Sequence, residues 1–328
     1  MDRRSPLAGS LVVIFAGCLF AMLGVLSRWS FDAGLSPFTF VIWRSGVAAL
    51  AMAVLVLVSL RRGGRLVGWR SLSPRDRVAL GVAALMGASL DVTMFLAFSR
   101  VSVAIVLLCF YLFPAIVAGA SALLGWERLD RVRGVALVVA LGGMVAVVVG
   151  GPATGVSGGT DLIGVVLALG SALSQAVFVL VARRGYRQVP ADQAMVVILT
   201  VSTTIATVLA LAFGTLSTAL LPFASPDLLG LMLFAGVFAA GLPSLLFLAG
   251  IRWIGGVRAG ILMLAQAPVG VVLAAVFLEE GIGPLQIAGG IAILAAALVI
   301  QRSLLSEQPA QTVTQGATWR TRRRASRG

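Results

Sequence analysis

Ten apolar runs, each roughly 17 to 25 residues long, follow one another along this chain, at about 7–28, 38–60, 79–99, 101–125, 134–150, 161–182, 193–214, 228–250, 258–278 and 283–301. A helix rises 1.5 Å per residue, so a run of this length spans a hydrocarbon core about 30 Å thick. Hydrophobic residues make up 59% of the 328 positions and charged ones 11%, against roughly 25% charged in a soluble domain. The expected fold is therefore an all-α integral membrane protein of ten transmembrane helices. The first run follows Asp2, Arg3 and Arg4, but it exceeds the apolar core of a signal peptide, about 7–15 residues, and no small-residue cleavage site follows it. It reads as a span.

All 25 basic residues are arginine; lysine and histidine are absent. Without lysine there is neither a Walker P-loop nor a Schiff base to a cofactor, and without histidine there is no Ser-His-Asp triad, HExxH zinc site or imidazole pH switch. Cys18 and Cys109 lie in apolar runs and read as small buried hydrophobes. No cofactor, metal or enzymatic activity is expected.

The formal charge of +13 has a topological explanation. Counted in alternate loops, 22 arginines fall in one set and two, Arg28 and Arg100, in the other, with Arg44 inside the second run. Basic loops stay in the cytoplasm, which predicts both termini inside and removes the case for nucleic acid as a partner. The segment 303–328 is polar, aperiodic and basic, and is expected to be a disordered cytoplasmic tail. The arginine-, alanine- and valine-rich usage points to a bacterium of high GC content, hence to its inner membrane.

The chain repeats itself. "LAGSLVVIFAGCLFAMLGVLSR" (7–28) lies over "LIGVVLALGSALSQAVFVLVAR" (162–183), and "FLAFSRVS" (95–102) over "FLAGIRWI" (247–254). Pro114 followed by Glu127 has a counterpart in Pro268 followed by Glu280, so the offsets stay near 152–155. Two halves of five spans result, 1–150 and 151–302. Five is odd, so the second half is expected to be inverted in the membrane, an architecture used by secondary transporters with a midplane substrate site.

With Arg44 in "VIWRSGVAALAM", "FLAFSRVSVAIVLLCFYLFPAIVAGASALLGWERL" and its second-half echo "FLAGIRWIGGVRAGILMLAQAPVGVVLAAVFLEEGI", the chain resembles the drug/metabolite transporter superfamily, specifically its EamA-type ten-helix members. The resemblance spans residues 8–301, with Asp91 and Glu279 as departures from the pattern. It implies export or exchange of a small metabolite.

Arg44 and Asp91 are the clearest charges inside the runs, and such a group costs at least about 2.5–3.5 kcal/mol at a helix centre. They lie at similar depth on consecutive spans. Either they line the translocation cavity, with Arg44 offered to a substrate carboxylate and Asp91 to an ammonium or a coupling proton, or they form a permanent ion pair that fixes packing. Pro114 and Pro268, near the middle of spans four and nine, each remove a backbone donor and are candidate hinges. Tyr111, Gln266 and Gln175, the last replacing Phe20 of the first half, are midplane polar groups that serve as substrate contacts or as interhelical hydrogen bonds. Trp43 is a candidate for stacking on substrate or for anchoring at the lipid interface. Glu279 and Glu280 are expected in a solvated outward loop, Glu127 beside cytoplasmic arginines, and Gly256 and Gly260 form a GxxxG packing signal.

The expected function is a secondary transporter of a small metabolite, such as an amino acid or a drug-like compound, working by alternating access with the lipid bilayer and that metabolite as partners. A homodimer is compatible with these features. A passive channel, a structural membrane subunit and an intramembrane enzyme on a lipid-linked substrate are the alternatives, the last disfavoured by the lack of histidine.

Overall fold

A computed structural model describes residues 6–98, 100–101, 103–126, 130–150, 161–277 and 282–299, and every regular element among them is helical. The first half gives α1 (Pro6–Asp32), α2 (Pro37–Arg61), α3 (Pro74–Phe98), α4 (Val103–Phe110), α5 (Phe113–Leu123) and α6 (Arg131–Val149). The second gives α7 (Leu162–Arg184), α8 (Ala191–Ala212), α9 (Pro226–Phe234), α10 (Leu242–Ile254), α11 (Gly256–Met263), α12 (Gln266–Phe277) and α13 (Pro284–Val299). A π-helical turn, Ala235–Gly241, joins α9 to α10 in one rod. Seven helical stretches among the described residues are long and apolar enough to cross a membrane: α1, α2, α3, α7, α8, the rod Pro226–Ile254 and the stretch Gly256–Phe277. Phe113–Leu123 and Pro284–Val299 are shorter apolar helices. The chain is a multi-pass helical membrane protein.

Capping rather than hydropathy sets several helix ends. α3 starts five residues before its apolar run because Pro74 suits a first helical position and the Ser73 hydroxyl accepts from the Asp76 N–H at 3.1 Å. α2 starts the same way, with Pro37 after Ser36, whose hydroxyl accepts from the Thr39 N–H at 3.2 Å. α7 begins behind Asp161, whose carboxylate accepts from the Ile163 N–H at 2.9 Å. α1 runs on to Asp32, so Arg28 stands on the helix and not in the loop expected after it.

Large apolar side chains face outward, among them Leu50, Leu123 and Val138, while alanines such as Ala16, Ala83, Ala140 and Ala172 fill the interior. This inversion of a soluble core fits a lipid solvent, where close approach of small residues replaces the hydrophobic drive. Equivalent helices of the two halves run antiparallel. Along α2 and α8, Phe38 stacks on Phe213 at 5.5 Å, Gly46 lies against Thr203, and beyond the far end the Val67 N–H donates to Gln193 at 3.0 Å. α3 and α7 pair from Arg100 with Asp161, through Ser89 with Ser174, to Asp76 with Tyr186. The counterpart pair, α1 and α10, meets at Gly9 on Ile254 and at Gly250 on Val13.

Candidate functional site

The charged pair is buried between three helices. Arg44 on α2 donates through Nη2 to Oδ1 of Asp91 on α3. The second carboxylate oxygen accepts from the Ser202 hydroxyl on α8 at 2.6 Å. One turn beyond Asp91, the Phe95 ring lies 6.0 Å from the guanidinium carbon, within cation–π range. The Arg44 side chain is only 6% exposed, and its Nε has no hydrogen-bond partner among the described residues. Two oxygens are thus satisfied and one buried donor is left over. Because α2 and α3 belong to one half and α8 to the other, the pair sits where the halves meet.

Each central proline breaks its helix one turn upstream. Pro114 cannot donate to the Phe110 carbonyl, and α4 ends in a tight turn in which the Leu112 N–H reaches Cys109 at 3.2 Å before α5 restarts at Phe113. Pro268 does the same to Leu264: the Leu264 and Ala265 N–H groups reach Ile261 and Leu262 at 3.2 and 3.1 Å, and α12 restarts at Gln266. The two breaks touch. The Gln266 amide donates to the Tyr111 hydroxyl at 2.9 Å, and Gly260 packs against Pro114. Tyr111 is buried and Gln266 half-buried.

Gln175 on α7 is 8% exposed, and its amide forms no hydrogen bond among the described residues. Trp43 is engaged elsewhere. Its indole N–H donates to the Ala219 carbonyl at 2.9 Å and its ring meets Phe223 edge-on at 5.1 Å, which fastens it to the connection between α8 and α9. The structure therefore joins Arg44 to Asp91 and Tyr111 to Gln266, keeps Gln175 buried and unpartnered, and turns Trp43 to that connection.

Two features were missed from sequence. Ser202 completes the Asp91 site from the opposite half. Pro243 stands 152 positions after Asp91, and the backbone before it widens into the π turn Ala235–Gly241, whose Gly236 packs against Val47 and the Arg44 carbonyl. A third proline inside an apolar run was the available signal. A separate cleft of about 190 Å³ lies at the helix ends, lined by Ser121, Trp126, Leu180, Arg183, Arg184, Arg187 and Gly256, with the Arg184 guanidinium stacked 4.8 Å above Trp126.

Outside the spans, the hydrogen bond from Arg100 at 2.8 Å holds the Asp161 carboxyl below the usual carboxylate range. Burial pushes the Tyr186 phenol well up, with the nearby Arg252 charge acting in the opposite direction. No cluster of metal-ligating side chains occurs among the described residues, and Cys18 and Cys109 are free and half-buried. Glu127, Glu279, Glu280 and the tail 303–328 lie outside the described residues.

The sequence matches the model of the EamA-like transporter family twice, over residues 7–149 and 162–302. No curated protein matches it. A solved structure described as "Crystal structure of protein" superposes with a TM-score of 0.73 at 19% identity, covering 91% of this chain and 99% of that one, a likeness in fold. With the family matched over both halves, the chain belongs to the EamA-like transporter family, within the drug/metabolite transporter superfamily.

Proposed function

We propose that the chain is an alternating-access carrier of ten spans that exports or exchanges a small polar or amphipathic metabolite across the bacterial inner membrane, with both termini cytoplasmic. In this reading α4 with α5, and α11 with α12, each make one interrupted span, and α6 and α13 complete the ten. The observation that carries it is the Tyr111–Gln266 hydrogen bond, which brings together the interrupted helices of two antiparallel halves. Helix interruptions leave backbone carbonyls without helical partners, and a membrane tolerates these only inside protein or beside a cavity. Midplane sites of secondary transporters are built from such interruptions.

Tyr111, Gln266 and the unpartnered Gln175 supply neutral donors and acceptors to the substrate. Arg44 and Asp91 face one another in this conformation, so a substrate or a proton reaches Asp91 only by displacing Arg44 or Ser202. Displacement would couple transport to that ligand, because the halves meet at this pair. The test is exchange of a labelled metabolite panel in proteoliposomes with and without a pH gradient. Gradient-dependent exchange that becomes gradient-independent in Asp91→Asn supports proton coupling; unchanged gradient dependence in that variant leaves the pair a structural one.

A further inference from the structure

Inverted repeats make the two ends of the molecule equivalent, so a contact present at one end and missing at the other reports which end is shut. At the α7–α10 end, two arginines cross between helices in opposite directions. Arg183 at the end of α7 donates to the Arg252 carbonyl at 2.6 Å and the Ile251 carbonyl at 3.4 Å, at the end of α10. Arg252 returns the contact, donating to Val189 at 2.9 Å and Tyr186 at 3.3 Å in the loop after α7, with its guanidinium 5.2 Å from the Tyr186 ring. At the same end α5 packs on α11, where Gly256 lies between Val179 and Val117.

The repeat assigns each part a counterpart at the other end. Arg28 corresponds to Arg183 and Arg100 to Arg252, while the ends of α1 and α3 correspond to those of α7 and α10. Among the described residues the reciprocal contact is absent there. Arg28 is exposed and makes no hydrogen bond, ion pair or ring contact among the described residues. Arg100 pairs instead with Asp161 at 2.8 Å. Among the described residues α1 has no packing on α3 comparable to that of α7 on α10, nor α4 on α12 comparable to that of α5 on α11.

We infer that Arg183 and Arg252 are a latch that closes one end of the carrier, and that Arg28 and Arg100 are its idle twin, which closes the other end when the halves exchange conformations. The inference rests on the carrier reading. An arginine suits the task because its planar fork can hold two carbonyls of a helix end at once through charge-assisted bonds. In the exchanged state Arg28 donates to carbonyls at the end of α3, and Arg100 leaves Asp161 for the α1–α2 loop.

Amide hydrogen exchange of the full chain in lipid nanodiscs tests this without a known substrate. Wild type should exchange slowly over 185–190 and 247–256 and fast over 28–36 and 98–103. In Arg183→Ala the first two segments should speed up by about tenfold, the size expected for losing a charge-assisted hydrogen bond, and the last two should slow in step. Adding Arg28→Ala should abolish that new protection. Arg183→Lys, which keeps the charge but not the fork, should shift in the same sense by less, and serves if the alanine variant does not fold. A local rise in exchange with no matching fall at the other end overturns the latch and makes Arg183 a simple helix cap. If reciprocity holds but no compound is exchanged across a membrane, the carrier reading fails while the coupling of the two ends through Arg183 and Arg28 stands.

Discussion

The Ser202 hydroxyl donates to the Asp91 carboxylate at 2.6 Å from the opposite half of the chain, while Arg44 holds the other carboxylate oxygen from the same half. One carboxylate therefore ties both repeats together. Removing the carboxylate charge and removing the hydroxyl leave different kinds of defect.

Asp91→Asn leaves the Arg44 charge buried without its counter-ion and should destabilise the protein by about 3–5 kcal/mol. Ser202→Ala should cost only about 1.5–3 kcal/mol, the range for a hydrogen bond to a charged group. Replacing both charges, Arg44→Met with Asp91→Leu, should recover most of the loss. Thermal unfolding in detergent ranks the three variants; a double variant as unstable as Asp91→Asn would show that the pair itself, and not the orphaned arginine, sets the cost.

Tyr186 is fully buried, its hydroxyl has no partner among the described residues, and its backbone sits at φ +35°. Tyr186→Phe removes an unsatisfied polar atom and keeps the ring beneath Arg252, so melting temperature should hold or rise, with a gain of up to about 1–3 kcal/mol. A clear loss of stability would mean that the hydroxyl has a partner in the membrane-embedded protein.

The Arg100–Asp161 pair sits in solvent, and its carboxyl titrates below the ordinary value because Arg100 donates to it. Its contribution is complete above the ordinary carboxylate pKa of about 3.9 and is lost as pH falls through the depressed folded value. The stability difference between wild type and Asp161→Asn should therefore be present at neutral pH, shrink in high salt, and vanish in strong acid. A difference that persists in acid would show that it does not come from the Arg100–Asp161 charge pair.

α6 and α13 cross with no room between their backbones. A methyl at Gly143 would lie 2.7 Å from the Gly289 carbonyl oxygen and 3.0 Å from the Ala292 Cβ. Backbone cannot yield as a side-chain tip does, so Gly143→Ala should cost about 1–3 kcal/mol. Gly142→Ala, next to it, meets open space and should be neutral or slightly stabilising through helix propensity. Equal melting temperatures for the two would contradict this packing.

Much of this architecture is legible in the amino-acid order, for reasons that differ by residue. Arg44 and Asp91 stand out because any charge in an apolar run requires a partner, and consecutive spans at equal depth offer one. Pro114 and Pro268 announce breaks through their missing donors. Ser202 is silent: hydroxyls in helices usually bond the preceding turn, as Thr203, Thr204 and Thr207 do to the carbonyls four residues back. Only tertiary packing shows that Ser202 points across to α3. Tyr111 and Gln266 are visible as polar groups, but their pairing depends on two breaks meeting across 155 positions. Pro243 gives no warning that its helix will widen rather than snap, since that response depends on Gly236 lying against α2.

The most direct measurement is counterflow of a labelled metabolite into preloaded proteoliposomes, comparing wild type with Gln266→Leu and Gln175→Leu. A carrier with its site between the broken helices should give saturable counterflow in wild type, with half-saturation raised at least about tenfold in each variant by the loss of a substrate hydrogen bond. Flux that rises linearly with concentration and ignores both substitutions would contradict a carrier with its site between the broken helices.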